Sequence, residues 1–229
     1  MNILITGGTG FVGSHMIDYI FKYKAKYDDK IYCTKRWMED TKNVDHIDDD
    51  RLEFVDCDLL DAHSIRRAVE VSKPEKVFHF AAQSFPEVSF KTPVITLQTN
   101  TVGTTHLLEA IKESDYDPVI VSVSTSEVYG MPNEDEVPIK ETNPIRAANP
   151  YSISKVGHDL MSQYYHKAFD MKIIITRMFS HEGARRGKEF ALSSFARQVV
   201  LNEKGKGDGF IRHGNLDSTR TYAHIDDAI

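Results

Sequence analysis

Asn2-Ile3-Leu4-Ile5-Thr6-Gly7-Gly8-Thr9-Gly10-Phe11-Val12-Gly13 begins as a short apolar strand and passes through spaced glycines into an amphipathic stretch, Phe11 to Lys24. The order is strand, tight turn, helix. Glycines at 7, 10 and 13 let the backbone approach a pyrophosphate, while the helix N-terminus presents N–H groups and a dipole that favour an anion. Gly7, Gly10, Phe11, Val12 and Gly13 are therefore expected to hold the phosphates of a dinucleotide; the alternative is a glycine turn with no ligand.

Outward from this turn the pattern alternates. Lys30 to Thr34, Leu52 to Val55, Lys76 to Phe80, Val119 to Val123 and Lys172 to Met178 read as further strands. Between them, Ser64 to Val71 reads as a helix, a long helix is expected from Pro93 to Glu113, and another starts at Tyr151. Strands alternating with helices imply an α/β fold of the Rossmann type, a doubly wound parallel sheet. After residue 179 the pattern loosens into a glycine- and charge-rich region with one helix, Glu189 to Asn202. The expected organisation is a dinucleotide-binding domain over 1–179 and a partial, C-terminally truncated substrate-binding domain over 180–229.

Composition restricts the function classes. The 229 residues carry 28 basic and 34 acidic side chains, a formal charge of −6, without the basic block that nucleic acid requires. No apolar run is long enough to cross a membrane, and the first strand starts too close to Met1 to leave room for a secretory signal, so the cytoplasm is the expected location. Cys33 and Cys57 fit neither a disulfide framework nor a metal spacing and read as inert packing residues. The ten histidines are scattered without ligand spacing, so no metal is expected.

Tyr151-Ser152-Ile153-Ser154-Lys155 sets a phenol and an ammonium four residues apart, on one helix face. An unperturbed tyrosine is only about one-thousandth phenolate at neutral pH, and a nearby cation makes it a usable base. An isolated YxxxK is more often an ordinary surface pair. Here Ser124-Thr125-Ser126-Glu127-Val128-Tyr129-Gly130 follows the Val119 to Val123 strand, where residues past strand carboxyl ends line the ligand crevice. Thr125 can donate to a substrate oxygen and Glu127 can accept a proton; alone, they could equally be turn and capping residues. The charged, proline-rich stretch Glu134 to Pro150 reads as a long loop beside them.

TGGTGFVG, Asp58 in CDLLD, HFAAQS at 79–84, Asn100, STSEVYG and YSISK together resemble the extended short-chain dehydrogenase/reductase family, the NAD-dependent epimerases and dehydratases, most of which act on nucleotide-activated sugars. The resemblance spans nearly the whole chain. HEGARRGKEF at 181–190 and HGNLDSTR at 213–220 resemble most closely the GDP-mannose 4,6-dehydratase branch. It implies that Asp58 and Leu59 touch the adenine, that Ala81, Ala82 and Gln83 border the cofactor, and that Thr125, Tyr151 and Lys155 form the catalytic set. It further implies a cycle. Tyr151 takes the sugar 4-hydroxyl proton as C4 gives hydride to the nicotinamide, Glu127 removes the C5 proton, water leaves from C6 and hydride returns there. Lys155 and the oxidised nicotinamide both favour the tyrosinate, and Lys155 also holds a ribose hydroxyl.

The second strand bears on the cofactor. It leads into Thr34-Lys35-Arg36, with no acid to accept from a ribose 2′-hydroxyl, so NADP is expected, with Arg36 on the 2′-phosphate and NAD as the alternative. Arg185, Arg186 and Arg220 are the expected partners of the sugar diphosphate, with Ser84 and Ser180 also in the substrate site; each arginine could instead be a surface cation. Ser180 stands where the dehydratases usually carry asparagine, Phe85-Pro86 replaces His-Val, and Thr221-Tyr222 replaces Asp-Trp. GDP-mannose is the expected substrate; family members run on by roughly a third of this length, so the base-binding side of the pocket is expected to be incomplete here or to be supplied by another chain.

Other readings stay open. A GDP-4-keto-6-deoxyhexose reductase, a nucleotide-sugar epimerase or a UDP-glucuronate decarboxylase shares Thr, Tyr and Lys, and a catalytically silent Rossmann protein would retain the glycine turn. The family also implies a homodimer or higher oligomer, paired through the helices at Pro93 to Glu113 and Tyr151 to Asp170.

Overall fold

The computed structural model describes residues 1–24, 26 and 28–229. They divide into two compact units, Met1–Met178 and Phe179–Ile229. In the first unit, β1 (Asn2–Thr6), β2 (Lys30–Lys35), β3 (Leu52–Asp56), β4 (Lys76–His79), β5 (Val119–Val123) and β6 (Ile173–Thr176) form one sheet in the order β3-β2-β1-β4-β5-β6. All neighbours are parallel, with Ile3 opposite Ile31 and Leu4 opposite Val77. The chain order reverses between β1 and β4, and ligands of such sheets bind outside the strand carboxyl ends at that point.

The apolar runs of the strands explain the sheet. Ile3, Leu4, Ile5, Ile31, Val77 and Ile120 are all buried, as strands covered on both faces must be. Leu4, Val77 and Ile120 join Ile65, Val69, Leu107, Leu108 and Ile111 in one core, so the sheet is sealed on that side by α2 (Ala62–Ser72) and α5 (Gly103–Lys112). Each such aliphatic side chain contributes about 1.5–3 kcal/mol of burial. Asp61 starts α2 by accepting from the His63 N–H at 3.0 Å, so the helix begins two residues earlier than the pattern of apolar residues indicates.

Several boundaries differ from the sequence expectation. The expected helix Phe11 to Lys24 is α1 (Phe11–Tyr19) continued by π-type turns over Ile20–Lys24. The helix expected from Pro93 to Glu113 is α4 (Pro93–Leu97), a π-type stretch Gln98–Val102, then α5. Within that stretch the Asn100 side chain is buried and bonds the Gln83 backbone and Ser154, side-chain demands that periodicity does not register. A short helix, α3 (Pro86–Lys91), precedes it without having been anticipated, and β6 stops two residues before Met178. The Tyr151 helix is α6 (Pro150–Phe169), packed against α4 and α5.

In the second unit, β7 (Ser180–Glu182) pairs in parallel with β8 (Tyr222–His224), α7 runs Ala191–Glu203, and α8 (Ile225–Ala228) follows β8. Ile225 is buried against Gly183. Neither short strand was read from the sequence: three residues each, they carry no period long enough to recognise. Among the described residues no helix is long and apolar enough to cross a membrane.

Candidate active site

The glycine turn has the geometry of a close-approach cradle. Gly7 has φ +68°, a conformation that side chains rarely adopt, and an added Cβ would lie 2.9 Å from the Ala81 backbone. A Cβ on Gly13 would come within 2.6 Å of Gly8 Cα and closer still to the Gly7 carbonyl. Gly10 caps α1 without any side-chain hydrogen bond to the first turn. The helix start around Phe11, Val12 and Gly13 is thus a positive backbone end that Gly10 leaves without a side-chain cap, at the β1/β4 reversal, and it fits a dinucleotide phosphate. Thr34 holds the turn in place by accepting from the Gly7 N–H at 3.2 Å.

The surrounding residues are arranged as follows. Ala81 donates its N–H to Thr6 at 3.2 Å, and Gln83 is locked by Asn100 at 2.8 Å and by its own bonds to Phe85 and Thr96. Ala82 lies between them, half-buried, and Ser84 is exposed just beyond. Asp58 follows β3 and accepts from the Leu60 N–H at 2.9 Å, which occupies one carboxylate oxygen. The Leu59 side chain is in the core, and its carbonyl bonds His106 at 3.0 Å. The Asp58 N–H and carbonyl are bonded to Ser64 at 3.0 and 3.2 Å, so the backbone here is largely committed within the protein.

Arg36 lies just past β2 with its side chain 68% exposed. An acid does stand beside it: the Arg36 N–H bonds Glu39 at 2.8 Å, and the Arg36 Nε lies 3.5 Å from the same carboxylate. The sequence reading missed Glu39 because the acid sits a turn beyond the strand. Cys33 is buried against Gly8, and burial pushes its thiol up to about 12, consistent with an inert packing residue.

Thr125, Glu127, Tyr151 and Lys155 come from two elements that meet. Thr125 ends the extended chain after β5, caps a 3-10 turn over Ser126–Tyr129 by accepting from the Glu127 N–H at 3.3 Å, and keeps its own hydroxyl proton for donation. Asn149 caps α6, accepting from the Ser152 N–H at 2.8 Å, and its other amide atom donates to the Glu127 carboxylate at 3.0 Å. Tyr151 and Lys155 follow on α6, both buried. Lys155 donates to the Val123 carbonyl at 2.6 Å, which ties the helix to the end of β5. Burial pushes the Lys155 ammonium down to about 7, with Asp159 opposing that shift.

The loop beyond is braced by two ion pairs. Glu136 and Arg146 make a two-bond pair at 2.6 and 2.8 Å across the loop. Arg177, just past β6, grips the fully buried Asp159 of α6 at 2.8 and 3.1 Å and donates to the Tyr129 hydroxyl at 2.9 Å. Asn149, Asp159 and Arg177 were not singled out from sequence. Asn-Pro followed by Ser at the third helical position was the available signal for Asn149; Asp159 and Arg177 had none, since their pairing is tertiary.

Of the remaining expected residues, Ser180 is exposed on β7, and Arg185 and Arg186 follow β7 half-buried. Arg185 has φ +69°, and the Arg186 guanidinium lies 3.5 Å from the centre of the Phe190 ring. Arg220 is exposed ahead of β8. The second unit thus holds Arg185 and Arg186 near its β7 end and Arg220 on a separate exposed stretch.

A family profile described as GDP-mannose 4,6 dehydratase matches residues 4–229, so the chain belongs to that family of extended short-chain dehydrogenase/reductase proteins. A GDP-mannose 4,6-dehydratase of Yersinia enterocolitica is 30% identical over 99% of this chain and 62% of its own length. The chain therefore spans about three-fifths of that relative. A crystal structure of DesIV, a dTDP-glucose 4,6-dehydratase of Streptomyces venezuelae with NAD and TYD bound, superposes with a TM-score of 0.88 at 29% identity, covering 100% of this chain and 69% of that one. The structure of RMD from Pseudomonas aeruginosa complexed with NADPH gives 0.81 at 25% identity, covering 100% and 71%.

Proposed function

We propose that this chain carries the redox and proton-transfer half of a nucleotide-sugar 4,6-dehydratase, with GDP-mannose as substrate and NADP as cofactor. The observation that carries the reading is Asn149, which joins the Glu127 carboxylate to the helix start bearing Tyr151 and Lys155. A simple carbinol dehydrogenase needs the Tyr-Lys pair alone; a carboxylate coupled to it serves a second proton, the one on the carbon next to the new ketone.

Each residue then has a task. Tyr151 takes the proton of the sugar 4-hydroxyl, Thr125 donates to that oxygen, and Lys155 favours the tyrosinate and holds a ribose hydroxyl. Glu127 removes the C5 proton, which the neighbouring ketone acidifies; one of the two protons now held by Tyr151 and Glu127 goes to the C6 hydroxyl, which leaves as water, and the other returns to C5 as C6 is reduced. The chemistry a bound nicotinamide supplies is hydride acceptance from C4 and hydride return to C6. Gly7, Gly10, Phe11, Val12 and Gly13 hold the diphosphate, Asp58 and Leu59 the adenine, and Ala81, Ala82 and Gln83 the nicotinamide side. Arg36 takes the 2′-phosphate through its exposed guanidinium, against the competition of Glu39. Ser84, Ser180, Arg185, Arg186 and Arg220 serve the sugar nucleotide.

GDP-mannose is supported by the family profile and the Yersinia relative; the DesIV resemblance favours dTDP-glucose as the second reading. Products from GDP-mannose, dTDP-glucose, UDP-glucuronate and GDP-4-keto-6-deoxymannose, weighed by mass spectrometry, decide between them. Loss of one water from GDP-mannose without net change in cofactor absorbance is expected. Net NADPH consumption on the 4-keto sugar means a reductase, and no product from any substrate with cofactor still bound means a silent Rossmann protein.

The enzyme acts in the cytoplasm as a dimer. Ile153, Leu160 and Tyr164 on α6 and Val94 and Ile95 on α4 are exposed apolar residues on two helices packed together, a surface suited to a second copy. A monomeric mass in solution would refute the pairing.

A further inference from the structure

His158 lies one turn beyond Lys155 on α6, completely enclosed. Its Nδ1 is 3.5 Å from the Lys155 Nζ, a charge–dipole contact longer than a full hydrogen bond. Its Nε2 is 2.7 Å from the Ser122 hydroxyl, which is 2.8 Å from the Ser162 hydroxyl, and Ser162 bonds back to the His158 carbonyl at 3.0 Å. With the Ser162 proton on that carbonyl, the Ser122 proton goes to Ser162, and the Ser122 oxygen accepts from a His158 Nε2–H. Nδ1 is then a bare lone pair. The ammonium selects the same tautomer, because an N–H at Nδ1 would point a donor at a cation.

Thr104 also reaches Nδ1, at 2.9 Å, and its hydroxyl stands 2.7 Å from the Asn100 carbonyl; it has one proton for the two, and in the tautomer the ammonium selects that proton goes to the Nδ1 lone pair. Thr104 is also 2.9 Å from the Nε2 of His79, whose Nδ1 is 2.7 Å from Thr6. The two imidazoles stack at 5.4 Å, 10° from parallel. From β4, then, His79 faces the ammonium; α6 supplies His158 and Asp159, the latter gripped by Arg177; among the described residues α5 and β5 supply Thr104, Ser122 and the Val123 carbonyl, all uncharged. Burial holds both imidazoles neutral, His79 down to about 3 and His158 well below its ordinary value.

We infer that His158 is the positioning residue of Lys155: its neutral ring, fixed by Ser122 and Thr104, turns a lone pair to the ammonium and holds it at the end of β5. This inference rests on the reading that Lys155 belongs to the redox site. Nothing in the YxxxK spacing requires a histidine three residues on, so the device belongs to this chain's own interior.

Two measurements on the intact chain test it. Long-range proton–nitrogen NMR of the ring nitrogens should show His158 with Nε2 protonated and Nδ1 bare, unchanged from about pH 5 to about pH 9. A protonated Nδ1, or a ring that titrates in that interval, overturns the inference. Second, NADPH and NADH are titrated against the wild type, His158→Leu and His158→Asn, whose Oδ1 can stand near the lost Nδ1. The leucine variant should bind about tenfold more weakly near neutral pH, with its pH midpoint lowered by about one unit, and the asparagine variant should stay within about twofold of wild type. No loss in His158→Leu, or equal loss in both variants, overturns it; if His158→Leu does not fold, the NMR result on the wild type decides. Binding needs no turnover, so an absent dehydratase product alongside these shifts would sink the proposed activity and leave His158 in place.

Discussion

Asn149 donates from its Nδ2 to the Glu127 carboxylate at 3.0 Å while its Oδ1 caps the helix that carries Tyr151. One side chain therefore sets both the start of α6 and the direction of the proposed C5 base. Asn149→Ala should cost about 1 kcal/mol as a lost cap. Asn149→Ser should retain the cap yet be too short to reach Glu127. If the link matters to chemistry, both variants slow exchange of the C5 proton with deuterated solvent, whereas only the alanine variant loses denaturant stability. Full exchange in Asn149→Ser would show that Glu127 needs no such guide.

Arg177 joins three parts of the site: Asp159 on α6, the Tyr129 hydroxyl beside Glu127, and the Glu141 carbonyl in the following loop at 3.1 Å. Asp159 is wholly buried, so removing its partner strands a charge, a change that costs about 3–5 kcal/mol. Arg177→Met should accordingly lower chemical stability by that amount, and Tyr129→Phe by about 1.5–3 kcal/mol through a lost bond to a charged donor. Equilibrium urea unfolding measures both. A loss below about 1 kcal/mol for Arg177→Met would mean that Asp159 finds water or protonates instead.

The sheet and the glycine turn were legible because both follow from short-range patterns. Apolar runs of four or five residues bounded by Gly7, Asp58 and Ala81 mark buried parallel strands, and the glycine spacing marks the turn. Tyr151, Lys155, Thr125 and Glu127 were legible as residues, but their connection was not: Asn149, Asn100 and Arg177 act across 22, 54 and 18 positions of chain. The histidines illustrate the same limit. His79 and His158 lie far apart in sequence and look like any buried polar residues until β4 and α6 stack them. In the second unit, three-residue strands have no period to read.

Those two histidines make an acid limit. The folded His79 titrates near about 3 against 6.5 unfolded, so in that window the unfolded chain binds the extra proton and stability falls as pH drops. His158 is shifted the same way by burial, so two protons contribute to the slope. Stability should therefore be flat above about pH 7 with respect to these groups and decline from about pH 6.5 downward. In His158→Asn, which cannot titrate, the decline should be shallower by about one proton. An unchanged slope, from urea unfolding at successive pH values, would mean that the His158 ring is accessible to protons in the folded state.

Lys155 gives the opposite edge of the profile. Its folded value of about 7 lies below the ordinary 10.5, so between these the unfolded chain holds a proton that the folded chain has released, and stability rises with pH. Below about 7 both states carry the charge, and the full cost of burying an ammonium applies. Lys155→Met should thus be inactive but gain most stability relative to wild type at or below neutral pH, with the gain shrinking toward about pH 10. A constant difference across that range would indicate that solvent or a neighbouring carboxylate keeps the ammonium charged. Activity and unfolding, measured on the same variant, separate the chemical role from the electrostatic one.

Gly13 tests the cradle itself. A methyl group there would press on Gly8 Cα and the Gly7 carbonyl, both backbone atoms that cannot swing aside. Gly13→Ala must therefore push α1 away from the turn, widening the approach to a bound diphosphate. Because the strain falls on the turn and not on the core formed by Leu4, Val77 and Ile120, most of the fold should survive with a loss of about 1–3 kcal/mol. Dinucleotide affinity should fall at least about tenfold, since the first-turn N–H groups lose their direction toward the phosphate. Ser14→Ala, the next residue on α1, whose hydroxyl bonds the Phe11 carbonyl at 3.0 Å, serves as a control that perturbs the same turn without entering the cradle. Fluorescence titration of NADPH against both variants measures the difference. Equal affinities for Gly13→Ala and wild type would mean that the dinucleotide phosphates are held elsewhere.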